Sequence, residues 1–284
     1  LPWVYRSFNF KNYDVVISIS IHFAKYLKTR KKHIPHINVC LSPPKFLWQH
    51  EDRNLTDADK LKENVNKGLY RFYHLFVGGP LEKVWQRWDF NAAQKVDYMI
   101  ANSKTVQERI KKIYKRDADV IYPPVEVSKI KLNKGKRENW FVYVGRVETY
   151  KGVDMAIKAC IEAGVHLKVV GKGTCFEEMK QLVKDSNARG VVKLLGFVPD
   201  DKKFELFSKA KAFIFPVRGE DFGIVAIESM ATGTPVIAYR EGGPTEIVSE
   251  KNPKTGILFD TYDYKELAKI LKKFDSDDFD PVNC

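Results

Sequence analysis

The chain has 284 residues, 44% of them hydrophobic and 13% aromatic, which is ample for two globular domains. No apolar run approaches the roughly 18 residues that cross a bilayer, so no transmembrane helix is expected, and four scattered cysteines without the usual spacing argue against a zinc site or a disulfide framework. The net charge of +12 lies in the first part of the chain, where residues 1–137 hold 27 Lys and Arg against 13 Asp and Glu.

The basic first part of the chain indicates an anionic partner, for which a membrane surface and nucleic acid are the two candidates. A lysine-rich surface that meets only solvent is the alternative. The sequence shows no helix-turn-helix signature, zinc-finger spacing or RNA-binding strand motif, so no nucleic-acid partner is expected. The cysteine usage fits a reducing cytoplasm. The chain starts without an initiator Met or a signal-peptide pattern, and we expect it to be part of a longer protein.

The first part of the chain predicts a partial α/β domain. Apolar runs predict strands at residues 14–19, 36–40, 97–102 and 119–122. They resemble the later strands of a doubly wound domain whose opening strands are absent. Residues 50–90 are polar and aromatic, which predicts a helical insertion. The basic segment 129–137 predicts an interdomain linker, so we expect domains at 1–134 and 135–284.

A helix is predicted from Ser103 to Lys115, with several lysines and arginines outside one apolar stripe. The stripe consists of Val106, Ile110, Ile113 and Tyr114. One interpretation is a surface helix that packs on a sheet. The other is a basic amphipathic helix that rests on anionic lipid head groups.

The second part of the chain alternates predicted strands with predicted helices. Near-continuous apolar runs predict strands at 140–144, 167–170, 191–195, 212–215, 236–239 and 256–259. Helical segments are predicted near 152–163, 175–187, 201–209, 223–232, 244–250 and 263–273. This pattern is typical of a parallel, doubly wound sheet with helices on both faces. Ligands of such sheets bind at the carboxyl ends of the strands.

The segment from Gly219 to Glu228 predicts a cradle for a phosphate. It follows the strand at 212–215, and a helix starts near Gly223. Free N–H groups at a helix N-terminus and the positive end of the helix dipole favour an anion. Glu220 lies at the mouth of this cradle, and Glu228 lies along the helix, where it can accept hydrogen bonds from hydroxyl groups. The segment therefore predicts a site for a phosphorylated sugar.

Two cations follow the strand at 140–144. Gly145 ends that strand and lets the backbone approach a ligand, and Arg146 and Lys151 come next on the same rim. Arginine offers bidentate hydrogen bonds and lysine a point charge, a combination that suits a diphosphate. The segment 196–199 ends another strand, where apolar side chains and free backbone groups can hold a flat base.

Four motifs follow one another in the second part of the chain: Gly145-Arg146 with Lys151-Gly152, Gly196-Phe197-Val198-Pro199, Glu220-Asp221-Phe222-Gly223 with Glu228, and Gly242-Gly243-Pro244-Thr245-Glu246. In this order they resemble the retaining glycosyltransferases of family 4. Segments 40–48, 96–103 and 120–125 are similar to the O-antigen mannosyltransferase-like branch of that family. The resemblance implies an α/β protein with the GT-B fold of two Rossmann-type, doubly wound parallel-sheet domains, the N-terminal one incomplete.

The resemblance also implies roles for the matching positions. The catalytic residues implied are Arg146, Lys151 and Glu220. The donor-binding residues implied are Gly145, Val198, Phe222, Gly223, Ile224 and Glu228. Arg146 and Lys151 would stabilise the leaving diphosphate, and Glu220 with the backbone around Gly223 would engage the donor sugar and phosphate. Glu228 would hold the ribose hydroxyls, and Val198 would contact the base.

The sequence therefore predicts a cytoplasmic glycosyltransferase, peripheral at the inner face of the membrane. It would move a hexose, with mannose from GDP-mannose as the candidate, from a nucleotide-diphosphate sugar to a glycan or polyprenyl-linked acceptor with retention of configuration. No cofactor other than the donor and no metal is expected. The alternatives are a nucleotide-sugar epimerase on the same fold, an inactive fragment that binds the donor, and a non-enzymatic nucleic-acid binder.

Overall fold

The computed structural model of the chain describes residues 2–5, 7–27, 34–48 and 79–284. The chain divides into two compact units, Leu1–Pro123 and Pro124–Cys284. This division lies before the predicted boundary at residue 134, because the segment that was predicted as a linker is bound to the second unit.

The segment 129–137 is held by side-chain hydrogen bonds to main-chain carbonyls. The Arg137 guanidinium donates to the carbonyl oxygens of Ser208 at 2.7 Å and Gly233 at 2.6 Å. The Asn133 amide donates to the same Ser208 carbonyl at 2.6 Å. These bonds make the segment an integral part of the second unit rather than a free linker.

Parallel strands form the sheet in the described part of the first unit. In spatial order they are β1 (Val16–Ser20), β2 (His36–Cys40), β3 (Tyr98–Ala101) and β4 (Asp119–Val120). The helices of this part are α1 (Pro2–Tyr5), α2 (Lys45–Trp48), α3 (Gly79–Ala93) and α4 (Lys104–Tyr114). The four predicted strands are confirmed: β2 has the predicted bounds, β3 and β4 are shorter than predicted, and β1 starts two residues later and ends one residue later. The predicted insertion at 50–90 falls largely outside the described residues, and α3 covers its described end.

Helix α4 packs on this sheet. Ser103 caps its N-terminus, since the Ser103 hydroxyl accepts a hydrogen bond from the Val106 N–H at 3.0 Å. Val106, Ile110 and Tyr114 are fully buried in a core cluster with Met99. The interpretation as a surface helix on a sheet is confirmed, and the apolar stripe is not available to lipid.

A buried carboxylate joins three of these helices. Asp89 of α3 is fully buried and accepts hydrogen bonds from the Tyr114 hydroxyl of α4 at 2.7 Å and from Trp48 Nε1 of α2 at 2.8 Å. Its charge is balanced by Lys25, whose Nζ lies 2.7 Å away and whose side chain is 3% exposed. Burial, followed by the charge of Asp89, raises the pKa of Tyr114, so its hydroxyl remains a donor.

Replacing Asp89 by alanine should destabilise the first unit by about 3–5 kcal/mol, because the change leaves the buried Lys25 ammonium without its counter-ion. Urea unfolding of the wild type and the variant measures this difference. Asp117→Ala is the matched control, since the Asp117 side chain is 95% exposed beside Lys111. The control should change the free energy of unfolding by less than about 0.5 kcal/mol. Equal stability of the two variants would contradict the role given to Asp89.

The second unit contains a parallel sheet of six strands. They are β5 (Trp140–Val144), β6 (His166–Val170), β7 (Val192–Gly196), β8 (Phe213–Phe215), β9 (Val236–Tyr239) and β10 (Gly256–Phe259). Their spatial order is β10-β9-β8-β5-β6-β7, so the chain starts in the middle, moves to one edge and then crosses back beside β5. This reversal defines a doubly wound sheet. The predicted architecture of this part is confirmed, with β5, β9 and β10 at the predicted bounds.

Helices cover both faces of this sheet. They are α5 (Val153–Ala163), α6 (Phe176–Asp185), α7 (Asp200–Lys209), α8 (Ile224–Ala231), α9 (Pro244–Ile247) and α10 (Tyr264–Lys273). Phe141 and Tyr143 of β5 pack in a cluster with α5 and α10, whereas Val142 and Val144 pack in a cluster with α7 and α8. Every residue of β5 is therefore buried. Among the helices that the structure describes, none has the length and apolarity to cross a membrane.

Candidate functional site

The carboxyl ends of β5, β8 and β9 meet in the second unit. Gly243, after β9, donates its N–H to the carbonyl of Glu220, after β8, at 2.8 Å. Gly152, after β5, lies so close to the end of β8 that a Cβ there would be 2.6 Å from the Pro216 carbonyl oxygen. The loops that carry the predicted site residues are therefore packed against one another, as expected of a doubly wound sheet.

The loop after β5 also packs on the loop after β6. Gly171 has a φ of +133°, and a Cβ built on it would lie 1.8 Å from the Gly145 carbonyl oxygen. A Cβ on Gly173 would lie 2.2 Å from the Val147 carbonyl oxygen. Glycine is therefore required at both positions. Gly145, a predicted donor-binding residue, has its carbonyl in contact with Gly171.

Tyr143 fixes both ends of the loop after β5. Its buried hydroxyl donates to the Arg146 carbonyl at 3.1 Å and also lies 3.4 Å from the Lys151 carbonyl. Burial raises the pKa of Tyr143, so the phenol stays protonated and remains a donor. The buried Tyr143 hydroxyl thus fixes the position of the turn that carries the two predicted cations, Arg146 and Lys151.

Lys151 and Glu220 are in direct contact. Lys151 Nζ lies 2.7 Å from Glu220 Oε2, and the two side chains are 19% and 18% exposed. Arg146 is exposed, with its Cζ 5.6 Å from the ring centroid of Tyr150, and Lys151 Nζ lies 5.5 Å from the same centroid. The structure therefore brings the three predicted catalytic residues together on one rim, with Lys151 already paired to a carboxylate.

Gly223 starts helix α8 at this rim. Its φ of +106° lies in the left-handed region, and its carbonyl accepts the Ala226 N–H at 2.9 Å. The first N–H groups of an α-helix have no partner within the helix, and they lie at the positive end of its dipole. Ile224, the first helical residue, is 42% exposed, whereas the Phe222 side chain is buried. Phe222 can therefore offer a ligand its backbone rather than its ring.

Glu228 of α8 is held by Lys203 of α7. Lys203 Nζ lies 3.0 Å from both carboxylate oxygens and donates a well-oriented hydrogen bond to Oε1. Oε2 is buried and receives no hydrogen bond from the described residues. Asp200 also contacts Lys203 at 3.0 Å. Oε2 is therefore in ion-pair contact with Lys203, and this lysine fixes the orientation of the Glu228 carboxylate.

Val198 follows the end of β7, where Gly196 has a φ of +70°. Val198 is half-buried against the core, whereas its neighbour Phe197 is 75% exposed. The structure therefore offers apolar surface at this strand end, as the sequence predicts. Contact of Val198 with a base stays a prediction.

Three contacts of the site were not predicted. They are the bond from Tyr143 to the loop after β5, the pair of Lys203 with Glu228, and the bonds from Thr174 to Glu148. The last two join positions that are 25 and 26 residues apart, beyond the reach of helical or strand periodicity.

The polar groups that the described site offers are cations, carboxylates and backbone amides. Among the residues that the structure describes, no three His, Cys, Asp or Glu side chains are grouped so as to hold a metal ion. His36 of β2 has its ring within 2.8 Å of the Ser18 hydroxyl, and burial lowers its pKa. This histidine is a buried, hydrogen-bonded residue of the first sheet.

Comparison with known proteins gives the family. The family model of glycosyl transferases group 1 matches residues 125–283. The chain belongs to this family. An uncharacterised glycosyltransferase of Methanocaldococcus jannaschii is 31% identical over 81% of this chain and 62% of its own length. A D-inositol 3-phosphate glycosyltransferase of Acidothermus cellulolyticus is 28% identical over 62% of this chain and 45% of its own length, so the chain spans less than two thirds of either relative.

Solved glycosyltransferase structures share the fold. The Anabaena protein HepE in complex with UDP and glucose has a TM-score of 0.58 and 25% identity over 66% of this chain and 55% of its own. Sucrose-phosphate synthase from Thermosynechococcus elongatus has a TM-score of 0.70 at 18% identity, over 95% of this chain and 66% of its own. A lipopolysaccharide outer core galactosyltransferase has a TM-score of 0.66 at 17% identity, over 99% and 72%. With the two parallel sheets, these matches confirm the predicted GT-B fold class.

Gly171→Ala should destabilise the second unit by about 2 kcal/mol or more, because an alanine at that φ is strained and its Cβ meets the Gly145 carbonyl. Chemical unfolding, monitored by a spectroscopic signal from the second unit, measures the loss in free energy of unfolding. Gly190→Ala is the matched control, because nothing lies within 4 Å of a Cβ there. The control should be neutral or slightly stabilising. If both variants unfold at the wild-type midpoint, the two loops do not pack as described.

Proposed function

We propose that this glycosyltransferase moves a hexose from a nucleotide-diphosphate sugar to a glycan or lipid-linked acceptor with retention of the anomeric configuration, as the resemblance to family 4 implies. The observation that carries the proposal is the contact of Lys151 with Glu220 at 2.7 Å, just before the start of helix α8. A cation, a carboxylate and a helix N-terminus on one rim suit a substrate that carries both a diphosphate and a sugar. GDP-mannose is the proposed donor, and the proposal includes no further cofactor.

The chemistry proposed for the site is electrostatic. Negative charge grows on the leaving diphosphate as the bond to the sugar breaks. Lys151 and Arg146 are the cations that would meet this charge, and the N-terminus of α8 would add its amide groups. Since Tyr143 holds the loop from within the core, these groups need little rearrangement as charge develops.

The nucleoside part of the donor is proposed to lie between β7 and α8. The Glu228 side chain is 17% exposed and is oriented by Lys203, and its carboxylate is proposed to accept hydrogen bonds from the ribose hydroxyls. Val198 and the exposed ring of Phe197 offer apolar surface for a flat base. The bound UDP named for HepE supports a nucleotide donor, and the GDP form is our proposal for this chain.

The acceptor is proposed to be a glycan or a polyprenyl-linked sugar at the cytoplasmic face of a membrane. The basic first part of the chain supports an anionic surface as partner. Lys111, Lys112 and Lys115 on and after α4 are exposed. Because the apolar stripe of α4 is buried, such contact would rest on cations rather than on insertion into lipid.

A nucleotide-sugar epimerase is the second candidate function. An epimerase needs an acid and a base placed around one sugar carbon. The rim described here presents Glu220 paired to Lys151, an arrangement that favours an anionic leaving group over proton abstraction. Incubation of the protein with GDP-mannose and no acceptor separates the two: an epimerase converts the donor to another nucleotide sugar, whereas a transferase releases GDP slowly.

Lys151→Ala should weaken the binding of GDP and GDP-mannose by about ten- to hundredfold, since it removes a charge-assisted hydrogen bond to the diphosphate. Isothermal titration with GDP, UDP and their hexose conjugates measures the affinities. Lys158→Ala is the control, because Lys158 is an exposed lysine paired to Asp154 on α5, and it should bind like the wild type. A wild type that binds none of these nucleotides would contradict the proposed function. If UDP binds more tightly than GDP, the donor is a uridine nucleotide and the proposal of GDP is wrong.

Glu220→Gln should bind free GDP more tightly, by about threefold to thirtyfold, because the Lys151 ammonium loses the carboxylate that competes with the diphosphate. The same change should slow sugar transfer, since the carboxylate is then absent from the sugar side of the rim. Glu266→Gln removes the same charge from an exposed pair on α10 and serves as the control. Unchanged or weaker GDP binding by Glu220→Gln would show that the ion pair does not compete with the ligand.

A further inference from the structure

Glu148 links the loop after β5 to the loop after β6. One carboxylate oxygen, Oε1, accepts the Thr174 N–H at 3.1 Å, and the other, Oε2, accepts the Thr174 hydroxyl at 2.5 Å. Both oxygens of Glu148 are therefore engaged by a single residue of the neighbouring loop. We call this pair of hydrogen bonds the Glu148–Thr174 clamp.

Main-chain bonds reinforce the clamp on both sides. Val147 donates its N–H to the Lys172 carbonyl at 3.0 Å, and its own carbonyl accepts the Cys175 N–H at 3.1 Å. The Thr149 hydroxyl lies 3.2 Å from Cys175 Sγ. The clamp is thus part of a network of hydrogen bonds that joins the loop after β5 to the loop after β6.

Glu148 lies in the chain between the two cations of the rim. Its N–H donates to the Arg146 carbonyl at 3.0 Å, and its carbonyl accepts the Lys151 N–H at 3.0 Å. A displacement of Glu148 therefore moves the backbone of both cationic residues. The hydrogen bond from the Thr174 hydroxyl, followed by that from its N–H and by the charge of Arg146, lowers the pKa of Glu148, which keeps the carboxylate ionised at neutral pH.

We propose that Glu148, held by Thr174, is a positioning residue that places Arg146 and Lys151 for the leaving diphosphate. This inference rests on the proposed function of the site. In this proposal Glu148 acts through the backbone that it shares with Arg146 and Lys151, whose carbonyl and N–H it contacts directly. The loop after β6 thereby becomes part of the catalytic apparatus, although it holds none of the predicted catalytic residues.

The proposal predicts a specific kinetic signature. The diphosphate carries more charge in the transition state than in the bound donor, so misplaced cations lower kcat more than they raise KM. A misplacement of about 1 Å can cost up to about 10²-fold in rate. Loss of the clamp should therefore lower kcat by about tenfold or more and change the KM for the donor by less than about threefold.

The experiment compares three variants of the full chain with the wild type. They are Glu148→Gln, Thr174→Val and Thr174→Ser. The assay follows release of the nucleoside diphosphate from whichever of GDP-mannose and UDP-glucose the wild type turns over faster. Glu148→Gln and Thr174→Val should show the loss in kcat, and Thr174→Ser, which keeps the hydroxyl, should restore most of it. Glu177→Gln is the control, because Glu177 is an exposed acid of α6 paired to Lys180, and it should keep the wild-type kcat.

The outcomes separate the clamp from the proposed function. A wild type that turns over neither nucleotide sugar contradicts the proposed function itself. An active wild type with unchanged kcat in Thr174→Val overturns the clamp, as does a serine variant that is as slow as the valine variant. A rise in KM at constant kcat also overturns it, because it places Glu148 in donor binding. If Glu148→Gln does not fold, the valine and serine variants of Thr174 decide the question.

Discussion

The ion pair of Lys151 and Glu220 ties the loop after β5 to the loop after β8, and the organisation of the site follows from it. Each side chain is less than one fifth exposed, so a lone charge of either sign would be costly there. Each partner therefore keeps the other in place while no substrate is present. A sugar nucleotide, the substrate proposed above, has an anionic part that would pair with Lys151 and hydroxyl groups that would donate to Glu220.

The backbone around this pair explains why it can be held so closely. Gly152 and Gly171 let neighbouring loops approach without a side chain between them. The Tyr143 side chain lies in the core, and its hydroxyl contacts the main-chain carbonyls of Arg146 and Lys151 at the two ends of the turn. The predicted catalytic residues are thus placed by main-chain packing, and the sheet itself is the rigid support. In the mechanism proposed above, such a site would meet developing charge with groups that are already oriented.

Much of the second unit could be predicted because β5, β9 and β10 are short, nearly continuous apolar runs with helices between them. Parallel topology then places Arg146, Lys151 and Glu220 on one edge, and the structure agrees. Periodicity could not reveal that Glu148 meets Thr174, because it describes neighbours along a helix or strand, whereas contacts between loops depend on tertiary packing. For the same reason the sequence did not reveal that Asp89 and Lys25 of the first part are buried together.

Arg137 has a practical consequence for work on the second unit alone. Its guanidinium donates hydrogen bonds to three acceptors of the second unit, which are the carbonyls of Ser208 and Gly233 and the hydroxyl of Thr234. A fragment trimmed to the first residue of β5 would lose these hydrogen bonds and leave the three acceptors without this donor, which would destabilise the second unit. A fragment that starts at Pro124 keeps Arg137 together with the unit to which it is hydrogen-bonded.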